Sequence, residues 1–179
     1  MSPRRQKSRT LLMIGIGLCA LTLFPVFLFA QDGPEDLEHR PVDVALLMVF
    51  MDRSGHTNYE RLEVENGQVL RFKATDREHK DVIEFLIMYL PDRQTLKFEC
   101  PALAEVPSTP EKRDRLNQRL TELNGWRTIG KYCLGRDNTT VRYFHYRTAV
   151  GGLCYADFEK TLRMIEYMVF SDLETIRDY

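Results

Sequence analysis

The sequence predicts an α+β domain in the order helix, four-stranded antiparallel meander, helix, β-hairpin, C-terminal helix. Three observations lead there. Residues 59–64 and 69–74 alternate apolar and polar on either side of Asn66-Gly67, the strongest two-residue hairpin signal. Residues 82–90 and 95–100 read as a third and a fourth strand around the tight turn Pro91-Asp92-Arg93. Residues 155–169 then place Tyr155, Phe158, Leu162, Ile165 and Val169 at spacings of three and four, with Asp157, Lys160, Arg163 and Glu166 off that stripe.

The first helix is expected over residues 42–53, with Pro41 in its first turn and Gly55 just past its end. Nine of the ten residues 42–51 are apolar, so periodicity alone does not separate helix from buried strand; the Ala, Leu and Met content selects helix. The meander follows, its second and third strands joined by the charged stretch 76–81. One face of such a sheet is commonly left for helices to cover. Residues 101–110 read as a connector. Ser108 or Thr109 caps a second helix, with Pro110 at its first position and Glu111 in its first turn. Its apolar stripe is thin, Leu116, Leu120 and Leu123 with Gly125 as the stop, so most of its circumference is expected to be wet. Residues 135–138 turn the second hairpin, and Gly151-Gly152 break the chain before the last helix. Burying Phe158, Leu162 and Ile165 there contributes roughly 1.5–3 kcal/mol each.

The N-terminal stretch has a different character. Arg4, Arg5, Lys7 and Arg9 precede an uncharged run over residues 10–31, the pattern of an export signal. Its apolar core, residues 11–30, is also about the length that spans a bilayer. Cleavage after Ala30 and retention as an anchor both stay open. The basic flank predicts that the N-terminus stays cytoplasmic while the rest crosses. Residues 1–30 are therefore read as signal peptide or membrane anchor, 31–40 as a linker and 41–179 as one domain. That domain is periplasmic or extracellular, or held at the membrane by residues 11–30.

With those four basic residues set aside, 21 basic face 26 acidic residues. Nucleic acid is excluded as a partner, because phosphate binding needs a basic field. Export permits disulfides, but Cys100, Cys133 and Cys154 are odd in number, match no zinc spacing and read as small core residues.

No catalytic constellation emerges. His39, His56, His79 and His145 are scattered, without the i, i+4 pair a helix-borne metal site uses, and neither metal nor cofactor is expected. His79 falls in a charged turn, and His145 shares a strand face with Val141 and Tyr143. No nucleophile elbow, phosphate loop or dinucleotide fingerprint occurs. Trp126, Tyr132, Tyr143, Phe144 and Tyr146 gather around the second hairpin. Most are expected to pack, but strand alternation points some outward, so the five form the candidate protein-binding surface.

Certain landmarks add a family likeness. They are Leu120-Thr121-Glu122-Leu123-Asn124, Gly130-Lys131-Tyr132-Cys133-Leu134, Asp137, Val141-Arg142-Tyr143, and Leu153 leading to Phe158 and Leu162. Over about residues 40–170 the chain resembles the YbjN family, whose fold is similar to that of type III secretion chaperones. The resemblance implies a non-enzymatic bacterial module that binds a protein segment, with a homodimer as one arrangement. The family carries the label of a sensory-transduction regulator, which names a role without a mechanism. Two departures stand out. Family members are described as cytoplasmic, whereas this chain opens on an export or anchor segment. Cys154 also stands where a Ser or Asp cap is usual, a loss of about 1 kcal/mol. The expected function is an exported or membrane-anchored, polypeptide-binding, chaperone-like or regulatory domain. The alternative is an envelope small-ligand sensor or enzyme with a pocket between helix and sheet, and a purely structural membrane-associated domain is the third reading.

Overall fold

The computed structural model describes residues 34–65, 67–76 and 81–178. The expected export or anchor segment and His79 lie outside the described residues. After a single 3-10 turn, Pro34–Asp36, come helix α1 (Val44–Arg53) and strands β1 (Tyr59–Val64), β2 (Gly67–Thr75), β3 (Val82–Leu90) and β4 (Thr95–Glu105). Helix α2 (Pro110–Trp126), strands β5 (Lys131–Leu134) and β6 (Thr140–Thr148) and helix α3 (Tyr155–Arg177) complete the chain. Meander and hairpin join into one six-stranded antiparallel sheet, ordered β1-β2-β3-β4-β6-β5, because β6 pairs with β4. The element order is the one the sequence predicts.

The boundaries differ where a local interaction overrides the pattern. Helix α1 starts at Val44, because the Asp43 carboxylate accepts the backbone N–H of Leu46 at 2.7 Å and caps it; Pro41 lies ahead of that cap. Val64 pairs with Gly67, so β2 begins two residues before the expected start at Val69. Strand β4 runs on through Pro101 to Glu105, where a connector was expected, and a register shift between Cys100 and Ala104 absorbs the proline. Helix α2 passes through Gly125 and ends at Trp126. Beyond α2 it is Gly130 that takes left-handed backbone, φ +66°, where a Cβ would lie 2.2 Å from the Tyr143 hydroxyl. Helix α3 extends eight residues beyond the expected end, because Leu173 and Ile176 continue its buried stripe.

The three helices among the described residues lie on one face. Leu47, Phe50 and Met51 of α1, Leu116 and Leu120 of α2, and Phe158, Leu162, Ile165 and Val169 of α3 share a core with Leu70, Phe72, Phe85, Ile87, Phe98 and Tyr143 of the strands. Phe50 and Phe158 meet at 5.5 Å between ring centroids, and Phe72 stacks on Phe85 at 5.3 Å. Among the described residues no helix is long and apolar enough to cross a membrane. The alternate residues of every strand point the other way.

Candidate functional site: the open face of the sheet

Alternation decides what the open face displays. On β4, Leu96, Phe98 and Cys100 face the helices, which turns Lys97 and Glu99 outward. On β6, Val141 and Tyr143 face inward, which turns Arg142, Phe144 and Tyr146 outward. The register sets Lys97 opposite Tyr146, Glu99 opposite Phe144, and Cys133 of β5 opposite Arg142. With Leu134 and Arg136 they line an open groove of about 240 Å³. Its floor carries an edge-to-face aromatic pair, Phe144 and Tyr146, with centroids 5.7 Å apart.

The electrostatics are asymmetric. Glu99 is buried although it faces outward, and it is held by ion pairs to both Lys97 and Arg142. A buried carboxylate needs such partners, since leaving it unpaired costs several kcal/mol. Lys97, Arg136 and Arg142 set three cations against that one anion, within a domain whose overall balance is acidic. Burial holds the Lys97 ammonium below its usual range, with Tyr146 opposing and Arg142 and Arg136 adding to the shift. Burial raises the Cys133 thiol against the attraction of Lys97, so it stays protonated at neutral pH and is not primed as a nucleophile.

The apolar surface continues along the sheet. One outward row runs Leu62, Val69, Met88, Lys97, Tyr146 across five strands. Val69 is buried without belonging to the helix-side core, so its neighbours on this open face cover it.

The five aromatics read as a binding surface separate into three places. Phe144 and Tyr146 lie on the groove. Tyr132 and Tyr143 do not offer surface: they are 3 % and 0 % exposed, because each alternates with an outward residue and sits beneath the helices. The Tyr132 hydroxyl donates to the buried Asp172 carboxylate at 2.7 Å, and Arg127 Nε donates to the same oxygen at 3.0 Å, tying the α2–β5 connection to α3. Trp126 is 85 % exposed at the end of α2 and does not line the groove. His145 sits beside Phe98 with centroids 6.2 Å apart, and burial, then Arg147, lowers its pKa and keeps it neutral. Cys100, Cys133 and Cys154 are free thiols; Cys100 and Cys154 are buried, while Cys133 is partly exposed in the groove.

Sequence reasoning missed Lys97, Glu99, Arg136 and Arg142 as groove residues. The i, i+2 spacing of Lys97 and Glu99 was visible, but the β4–β6 pairing that sets them beside Phe144 was not. A second concavity of about 480 Å³ lies over Arg115, Gln118, Arg119 and Glu122 of α2 and Asp178; it too is a surface feature, lined by polar side chains.

Fold and groove together define a class: an α+β module whose helices cover one face of an antiparallel sheet and leave the other open. Among solved structures, YbjN from E. coli is similar to this chain with a TM-score of 0.56 and 20 % identity, over 76 % of this chain and 93 % of that one. The chain thus has the YbjN-like fold that the sequence landmarks implied. The ExsC–ExsE complex is matched with a TM-score of 0.48 and 13 % identity, over 78 % of this chain and 98 % of that one. No family model and no curated protein matches the sequence.

Proposed function

We propose that this chain is a non-enzymatic protein-binding module, exported or membrane-anchored, that receives an extended segment of another polypeptide across β4, β6 and β5. The observation that carries the reading is the pairing of Phe144 and Tyr146 with Lys97, Arg136 and Arg142 on a face that none of the described helices covers. Aromatic rings bury large contact area with little side-chain freedom to lose. The cation excess favours a segment that alternates apolar and acidic side chains. At about 240 Å³ the groove is smaller than the roughly 300–1,000 Å³ of small-molecule pockets, and it takes a few side chains at a time. The YbjN-like fold supports this reading, and the basic flank followed by residues 11–30 supports export or anchoring.

Site-specific photo-crosslinking in cells tests it. A crosslinker at position 146 is expected to capture a defined polypeptide in the envelope fraction, and Arg142→Glu to abolish the adduct. The same probe at Lys160, exposed on α3, serves as the background. Equal yields at 146 and 160 would refute the docking face. The intact mass of the native protein tests the rest: a chain beginning at Gln31, or a full chain in the membrane fraction, fits, and a full chain in the cytosol does not.

A further inference from the structure

A second set of side chains converges where the first described segment meets the last helix. An imidazole nitrogen of His39, the sulfur of Cys154 and a carboxylate oxygen of Asp157 all lie within 4.8 Å of one another, although His39 is distant from the other two in sequence. The backbone makes this juxtaposition. Arg40 and Leu153 form an isolated antiparallel bridge, Arg40 N–H donating to Leu153 O at 3.1 Å and Leu153 N–H to Arg40 O at 2.9 Å. In that register His39 falls opposite Cys154. Gly152 permits the approach: its φ is +102°, and a Cβ there would lie 2.5 Å from the Arg40 carbonyl oxygen. Asp157 follows three residues after Cys154, on the same face of the first turn of α3.

The state of the sulfur is an independent observation. Cys154 occupies the N-cap of α3, where Ser, Thr, Asp or Asn ordinarily bonds a free backbone N–H, yet its side chain makes no cap bond. It is 3 % exposed and forms no disulfide. A buried thiol aimed at an imidazole and a carboxylate, and idle as a cap, is a ligand in waiting. Asp157 pairs with Arg147 through Oδ2 at 2.7 Å, and the exposed His39 gives access from solvent.

We propose that His39, Cys154 and Asp157 form a three-ligand Zn²⁺ site with water in the fourth position. One nitrogen, one sulfur and one oxygen is a donor set for a borderline-soft ion; Ca²⁺ and Mg²⁺ want oxygen alone. Zinc–ligand bonds of about 2.0–2.3 Å in a tetrahedron set the donor atoms roughly 3.3–3.7 Å apart. The set therefore closes by about 1 Å, which rotation of the exposed His39 side chain supplies. Binding replaces the thiol proton by zinc and releases it to solvent. Thiolate and carboxylate then balance both charges of the ion, so Arg147 keeps its pair with Asp157 without facing a net cation. The thiolate stands at the N-terminal end of α3, where negative charge is favoured. The bound ion fastens residues 39–40 to the start of α3 and holds one exchangeable position.

The test uses the reduced, chelator-stripped full chain, titrated with Co²⁺ as the spectroscopic probe and then with Zn²⁺ as competitor. One equivalent of Co²⁺ is expected to give a thiolate-to-metal charge-transfer band with tetrahedral d–d absorption, displaced by one equivalent of Zn²⁺. Cys154→Ser is expected to abolish the charge-transfer band, and Cys133→Ser to leave it unchanged. His39→Gln alters an exposed side chain and leaves the core intact, so it keeps the idea testable should Cys154→Ser fold poorly. Its expected loss of Zn²⁺ affinity exceeds the roughly 10-fold cost of losing an outer partner. Absence of the band in the wild-type chain, its persistence in Cys154→Ser, or unchanged Zn²⁺ affinity in His39→Gln would overturn the site.

Discussion

Raising the pH is expected to destabilise this protein through three groups in its core. Burial, with Glu166 adding, pushes the Cys100 thiol well above its ordinary value. Burial and then the hydrogen bond to Asp172 raise Tyr132, and burial, then Cys100 and Asp172, raise Tyr143. A group whose folded pKa is raised contributes full stability below its unfolded pKa and loses it as pH climbs toward the folded value. The unfolded values are about 8.5 for Cys and about 10 for Tyr. Loss therefore begins near pH 8.5 with Cys100, and both tyrosines join near pH 10. At pH 11 the unfolded chain gains roughly 1 kcal/mol from each tyrosine, and Cys100 adds in the same direction. The two tyrosines alone remove roughly 2 kcal/mol or more, a sizeable part of the ~5–15 kcal/mol stability of an ordinary domain. Urea unfolding followed by far-UV circular dichroism from pH 7 to pH 11 reads this directly. Tyr143→Phe is the discriminating variant, because its hydroxyl makes only a long hydrogen bond, 3.4 Å, to the Ile129 carbonyl. At pH 7 it is expected to be less stable than wild type by under about 1 kcal/mol. By pH 11 it is expected to be the more stable of the two. Parallel pH profiles for the two proteins would refute the reasoning.

Two further predictions concern packing and charge. Gly130→Ala is expected to cost about 2–4 kcal/mol in denaturant unfolding, from left-handed backbone and from overlap with the Tyr143 ring; Gly151→Ala, with no atom near its Cβ, is the control that reports backbone strain alone and loses about 1–2 kcal/mol. Arg127→Ala strips the buried Asp172 of its cation and leaves only the Tyr132 hydroxyl, an expected loss of about 3 kcal/mol, at the low end for a buried pair because Arg127 is itself one-third exposed; thermal unfolding measures it, and a Tm within a degree of wild type would contradict that role for the pair.

Local chemistry wrote most of the fold into the sequence. The hairpin strands from Tyr59, the turn at Pro91 and the three–four spacing from Tyr155 each act within a dozen residues; the last two appear as read, and the first with β2 starting two residues early. Long-range pairing was less legible. Nothing near Thr140 announces that β6 will lie against β4, and nothing near Pro101 announces a strand that tolerates a proline through a register shift. The candidate site suffered for the same reason. Tyr143 and Phe144 are neighbours in sequence, and the pleat sends one under the helices and the other onto the groove. Which cations surround Phe144 depended on the partner strand. The meeting of His39 with Cys154 and Asp157 depended on a two-residue bridge that no periodicity encodes.

The position of β4, flanked by β3 and β6, has a consequence for biosynthesis. The ribosome delivers β1 to β4 first, and the other flank of β4 stays bare until Thr148 is made. At about 5–20 residues per second the nascent meander carries an unzipped row of backbone donors and acceptors for roughly 2–9 s. Bare strand flanks recruit strands from other molecules. A product truncated after α2 never gains that shield and is bound for inclusion bodies, whereas a complete translation product covers the flank with β6.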